Sequence, residues 1–131
     1  MIGLDTNVIV RYLAQDDPEQ SAAATKVFEE RISRDDPGFV SSVALCEVAW
    51  VLSRAYKVPR KVVGEALRGL LDAEELVVEH RECALRAWQR FLSGRADFPD
   101  YLIGEIGREA GAATTLSFDG RACRSDLFSP P

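Results

Sequence analysis

Cysteine and histidine are scarce in this 131-residue chain: three cysteines, Cys46, Cys83 and Cys123, and a single histidine, His80. The cysteines are odd in number, far apart and never in a C-x-x-C pair. That argues against a disulfide framework or a zinc site and suits a reducing compartment. No cysteine or histidine pair competes for a catalytic role, and His80 has no adjacent partner. Long apolar runs are missing too, since none reaches the roughly 18 residues that a membrane span needs. The opening Met1-Ile2-Gly3-Leu4-Asp5 lacks a basic region and meets an acid at once, so it does not read as a signal peptide. Glycine and proline, at 9 and 6 residues, show no collagen-like or low-complexity bias. Positive charge is in deficit, with 16 basic against 21 acidic residues and a net charge of −5. Such a chain does not bind nucleic acid by bulk electrostatics; it would need a local basic rim or bound metal ions. What is present, 47% hydrophobic and 28% charged residues, belongs to an ordinary globular protein. The expectation is one cytoplasmic domain over residues 1–131 with a single core.

The order of elements alternates. Ile2–Leu4 reads as a short strand stopping at Asp5-Thr6-Asn7, residues that favour strand ends and helix caps. Val8-Ile9-Val10 and Tyr12-Leu13 predict a buried first helix. Asp16-Asp17-Pro18 marks a break with proline in an early helix position, and Glu19–Ser33 has helical spacing through Ala23, Val27 and Ile32. Asp35-Asp36-Pro37-Gly38 is a turn by composition. Phe39–Val43 reads as a strand, with Ser41 or Ser42 able to cap a helix over Ala44–Tyr56. Val58-Pro59 breaks that helix, and Arg60–Ala73 forms the next. Leu76–Val78 is a β-branched strand, and Arg81–Leu92 returns to helical spacing. Asp97-Phe98-Pro99-Asp100 starts a helix with a capping acid, an early proline and a second acid three residues on. That helix runs through Tyr101–Ala110 to Gly111. Thr114–Phe118 is a further strand, with a last short one at Leu127-Phe128. Strands separated by helices predict an α/β fold around a parallel sheet with right-handed crossovers.

Ligands of open parallel sheets bind at the carboxyl ends of the strands. Asp5 closes the first strand, Glu47 lies a turn into the helix after the second, Asp100 lies in the first turn of the helix before the fourth, and Asp119 closes the fourth. Four such carboxylates at one sheet edge would repel each other and raise one another's pKa values. A divalent cation relieves that repulsion, and magnesium or manganese prefers oxygen ligands. Glu47 sits between Cys46 and Val48 in an apolar helix, so burial there would demand a partner or an ion.

The segments Ile2-Gly3-Leu4-Asp5-Thr6-Asn7-Val8, Val40-Ser41-Ser42-Val43 with Glu47, Ala96-Asp97-Phe98-Pro99-Asp100 with Leu102-Ile103, and Leu116-Ser117-Phe118-Asp119 together resemble the PIN-domain nucleases. In its small size the chain most closely resembles the VapC toxins of toxin–antitoxin pairs. The resemblance spans Ile2 to Asp119. It implies a three-layer α/β/α domain with a central, mostly parallel sheet of four to five strands. By it, Asp5, Glu47, Asp100 and Asp119 match the family's catalytic, metal-binding acids, with Asp97 a second candidate beside Asp100. Thr6, Asn7 and Ser42 match polar supporting residues. Ser117 stands where the family usually has threonine and keeps its hydroxyl. The implied activity is Mg²⁺-dependent endoribonuclease cleavage, with Mn²⁺ as a substitute metal. The implied partners are RNA, a cognate antitoxin protein and a second copy of the chain, for which the apolar helices between Ala22 and Leu71 offer surface.

Metal ions held by carboxylates can activate water, polarise the phosphate and stabilise the leaving oxygen. Arg11, Arg54, Lys57, Arg60, Lys61, Arg121 and Arg124 are candidate phosphate contacts, each weighed against an ordinary solvated helix face. Trp50 and Trp88 read as core, and the three cysteines as small buried or half-buried residues. Two other readings stay open: an inactive PIN-like interaction module, and a receiver-type phosphoacceptor domain. The receiver would want an aspartate after the third strand, where Glu79-His80 stands, and a lysine after the last, where there is none.

Overall fold

The computed structural model describes residues 1–131, and its contacts divide the chain into two compact units, Met1–Glu79 and His80–Pro131. In the first unit the strands are β1 (Ile2–Gly3), β2 (Gly38–Val40) and β3 (Leu76–Val78), paired in parallel in the order β1-β2-β3. The helices between them are α1 (Thr6–Ala14), α2 (Pro18–Lys26), α3 (Ser42–Arg54) and α4 (Arg60–Asp72). Local chemistry sets these boundaries. The Asp17 carboxylate accepts the Gln20 N–H at 2.9 Å to cap α2, with Pro18 as its first residue. Of the two candidate serines it is Ser41 that caps α3, its Oγ accepting the Ala44 N–H at 3.0 Å. The periodic stretch after Glu19 is not one regular helix, because α2 gives way to a π-helical turn over Val27–Arg31. There Phe28 stacks on Tyr12 of α1, with ring centroids 4.0 Å apart.

Gly38 opens β2 instead of ending the preceding turn. A Cβ there would fall 2.7 Å from Leu4 Cδ1 and 3.2 Å from Leu76, so a side chain on the central strand would push its neighbours aside. Around this sheet Ile9, Leu45, Val48, Val63, Leu67 and Leu71 are buried.

In the second unit α5 (Arg81–Ser93) packs on α6 (Phe98–Glu109), and α6 lies against β4 (Thr115–Leu116), which pairs in parallel with β5 (Phe128–Ser129). The five strands therefore pair as three and two. The strand expected over Thr114–Phe118 is only two residues long. The last ladder bond runs from the Ser117 N–H to the Ser129 carbonyl at 3.0 Å, and beyond it Ser117 Oγ accepts the Asp119 N–H and turns the chain away. Phe98 meets Phe91 edge-on at 6.3 Å, anchoring the start of α6 on α5. Glu105 is 2% exposed on α6 and receives Arg86 Nε at 3.3 Å and Arg90 Nε at 3.0 Å from α5. The buried charge is paired twice, as a carboxylate out of water requires.

Candidate functional site

In the first unit the carboxyl ends of three neighbouring parallel strands deliver Asp5, the Ser41-Ser42 pair and Glu79 to one sheet edge. Asp5 stands at the N-cap of α1, and its carbonyl accepts the Val8 and Ile9 N–H groups at 3.1 and 3.3 Å. Its side chain caps nothing and is exposed, leaving both carboxylate oxygens available. Thr6, the next residue, is buried, while Asn7 is exposed and lines a pocket with Val8, Arg11 and Gln20. Ser42 is spent on Glu79: its N–H donates to Glu79 Oε1 at 2.9 Å and its hydroxyl to the Glu79 carbonyl at 3.4 Å. Glu79 is thus a positioning residue that ties the start of α3 to the end of β3. The only sequence signal for it was its place directly after a strand.

Glu47 is exposed, not buried. Helical spacing puts it on the solvent face of α3 with Val43 and Trp50, which are 68% and 54% exposed. The apolar helix does not bury this carboxylate, because α3 is apolar on more faces than it buries. Trp50 is corrected with it, from core to surface. Arg11, one of the candidate phosphate contacts, is engaged within its own unit. It donates to Asp16 at 3.1 Å, to Gln20 Oε1 at 2.8 Å and to the Tyr56 hydroxyl at 2.9 Å.

In the second unit Asp97 is the N-cap of α6 and Asp100 its third residue, and the two form a capping box. The Asp97 N–H donates to Asp100 Oδ2 at 3.3 Å. Partial burial and the negative charges of Asp119 and Asp97 push the Asp100 carboxyl above the usual carboxylate range. The Asp97 N–H and the Arg121 guanidinium oppose that shift. Asp119 is held the other way. Its Oδ1 accepts the Arg121 N–H at 2.8 Å and the Ala122 N–H at 3.4 Å, and Arg121 Nη2 lies 3.5 Å from Oδ2. Those bonds lower its pKa and keep it ionised. Ser117 Oγ accepts the Asp119 N–H at 3.0 Å, so the serine hydroxyl does fix the turn that carries the acid. Arg121 in turn has its positive charge reinforced by Asp119, Asp97 and Asp100.

The structure therefore joins Asp97 and Asp100 in a capping box, with the charge of Asp119 felt at Asp100, in one unit, and sets Asp5 at a strand-end edge in the other. Neither unit by itself gathers three or more His, Cys, Asp or Glu side chains around a point that could hold a metal ion. His80 adopts a left-handed backbone (φ 51°) at the start of α5, a structural position. Cys83 is buried, with Cys46 and Cys123 half-buried. No helix is long and apolar enough to cross a membrane. Compared with known families, residues 2–126 match the family described as the PIN domain. Its three-layer α/β/α arrangement is compatible with the six helices and parallel strand pairs seen here. No curated protein matches the chain.

Proposed function

The chain belongs to the PIN-domain family, and from that premise we propose that it is a Mg²⁺-dependent endoribonuclease acting as the toxin of a type II toxin–antitoxin pair. PIN domains are in general metal-dependent nucleases, and the family match runs through both units, which supports reading residues 1–131 as one nuclease domain. The observation that supports the reading is the placement of Asp100, half-buried in a capping box with Asp97 and within reach of the charge of Asp119. A hard divalent cation suits such a set, which offers carboxylate oxygens and neither sulfur nor imidazole. Asp5, Glu47, Asp100 and Asp119 would hold the metal, with Asp97 kept mainly as the helix cap. The chemistry Mg²⁺ supplies when bound is a more acidic water, a polarised phosphate and a stabilised leaving oxygen.

The chain's own residues prepare that chemistry. Asp119 stays anionic at neutral pH because two backbone N–H groups and Arg121 favour its charged form. Ser117 and the capping box fix where Asp119 and Asp100 sit. Asp5 keeps both oxygens uncommitted for a ligand. Exposed Val43, Trp50 and Val62 on α3 and α4 support an apolar contact with an antitoxin or a second copy.

The test is cleavage of total cellular RNA by the purified, antitoxin-free protein in Mg²⁺, in Mn²⁺ and in EDTA, beside Asp5→Asn. Discrete fragments that vanish in EDTA and in Asp5→Asn are expected, and they would identify the target RNA. A folded protein that cuts nothing in either metal and binds no metal by calorimetry is instead an interaction module.

A further inference from the structure

Where α5 ends, the second unit opens a cleft of about 300 Å³ whose lining includes Arg90, Arg95, Arg121 and Arg124 with Ser93 and Ser125. The other arginines of this unit are committed to acids. Arg81 pairs with Glu82, Arg86 with Glu105 and Glu109, Arg90 with Glu105 and Asp126, and Arg108 with Asp126. Arg121 faces Asp119 at 3.5 Å. Arg95 and Arg124, both exposed, have no acidic partner, yet they line the same cleft as two further guanidiniums. One unpaired surface arginine is ordinary. Two guanidiniums without an acid, set in one concavity beside two whose charge is already offset, leave a local positive excess that an anion can meet with bidentate hydrogen bonds. Arg121 belongs to both places: it lines the cleft, and it feels the charge of Asp97, Asp100 and Asp119. The cationic cleft therefore begins where the acidic cluster ends.

We infer that this cleft binds a backbone phosphate of a single-stranded RNA, next to the phosphate that is cut, with Arg95 and Arg124 as its principal contacts. The inference rests on the nuclease reading above and adds to it the path of the substrate strand. An acidic chain, with its net charge of −5, can hold RNA only through such a local cationic surface. Phosphate contacts of this kind fix the register of the strand and read no sequence.

The test is fluorescence anisotropy of a labelled oligouridine with the full chain, in EDTA so that nothing is cut, over a series of salt concentrations. Arg95→Ala with Arg124→Ala is compared with Arg31→Ala with Arg34→Ala, which removes the same charge from exposed positions elsewhere. The cleft pair is expected to weaken binding tenfold or more at low salt. It should also flatten the slope of log K against log salt by about 1.4, two phosphate contacts at roughly 0.7 each on a single strand. The control pair should leave the slope unchanged. Arg95→Lys with Arg124→Lys, which keeps the charge without the fork, should keep the slope and recover part of the affinity. Equal losses in cleft and control pairs, or no loss in the cleft pair, overturn the inference. So does displacement of the RNA by uridine monophosphate at equal affinity, which would make the cleft a small-anion site. The cleavage assay with Asp5→Asn is read separately. A protein that cuts RNA but binds it indifferently to Arg95 and Arg124 loses this inference alone. One that cuts nothing but shows the slope change loses the nuclease reading and keeps an RNA-binding cleft.

Discussion

The two units hold their acids in opposite ways. In Met1–Glu79, Asp5 and Glu47 are exposed, and Asp5 stands at a helix cap without capping it. In His80–Pro131, Asp100 and Asp119 are half-buried and built into a capping box and a hydrogen-bonded turn. An acid with no structural task can be replaced without loss of stability, so its effect on activity is clean. An acid that also holds the backbone confounds the two. The same contrast extends to cations: Arg11 of the first unit is absorbed by Asp16, Gln20 and Tyr56, whereas Arg95 and Arg124 of the second stay open beside a cleft.

The sharpest break in that comparison lies at Glu105, the one acid 2% exposed. Glu105→Ala removes the buried partner of Arg86 and Arg90, which keep Glu109 and Asp126, and should cost about 3 kcal/mol, the low end for a broken buried pair because both arginines reach solvent and retain a second acid. Urea unfolding of the full chain measures it, and an unchanged midpoint would mean that the ion pairs add nothing. Next comes Asp5→Asn, expected to lower RNA cleavage by about 100-fold, equivalent to ~2.7 kcal/mol of barrier, with no shift in melting temperature. A matching fall in melting temperature would show that Asp5 is structural after all. Within the second unit, Asp97→Ala should cost about 1 kcal/mol for the lost cap. Asp100→Asn should raise the melting temperature in EDTA, because it removes a carboxylate whose charged form is disfavoured by burial and by Asp119 and Asp97. If Asp100→Asn melts lower, its bond to the Asp97 N–H outweighs the repulsion.

The smallest effect is a pH dependence in the first unit. The Tyr56 hydroxyl, at 2.7 Å, and Arg11 hold the Asp16 carboxyl below its ordinary range. A depressed carboxyl stabilises the fold above the unfolded pKa, near 3.9 for aspartate, and that contribution is lost as pH falls through the folded value. Asp16→Asn should therefore flatten the acid limb of the stability curve and leave its shape above pH 6 unaltered. Thermal melts between pH 3 and pH 7 would register the change.

Features built from neighbours in the chain were legible beforehand. The Asp97–Asp100 capping box, the Asp17-Pro18 helix start and a serine cap for α3 need only a few residues each, so composition and spacing suffice. The link from Ser117 to Asp119 spans two residues and was legible as a supporting hydroxyl. Glu47 and Trp50 were misread because α3 is apolar on more than one side, and periodicity does not say which side meets the core. That Arg11 also meets Tyr56 was not legible, because this partner lies 45 residues away.

The sequence by itself determined the α/β alternation, the helix starts and the acids placed at strand ends and first turns. These depend on backbone preferences and short-range hydrogen bonds that each segment carries with it. Only the tertiary structure decided that Glu105 is buried against Arg86 and Arg90, that Glu79 receives Ser42, and that Arg95 and Arg124 share a cleft with Arg121. Charge pairing and burial are properties of side chains meeting across elements, and no local pattern encodes which distant partner arrives.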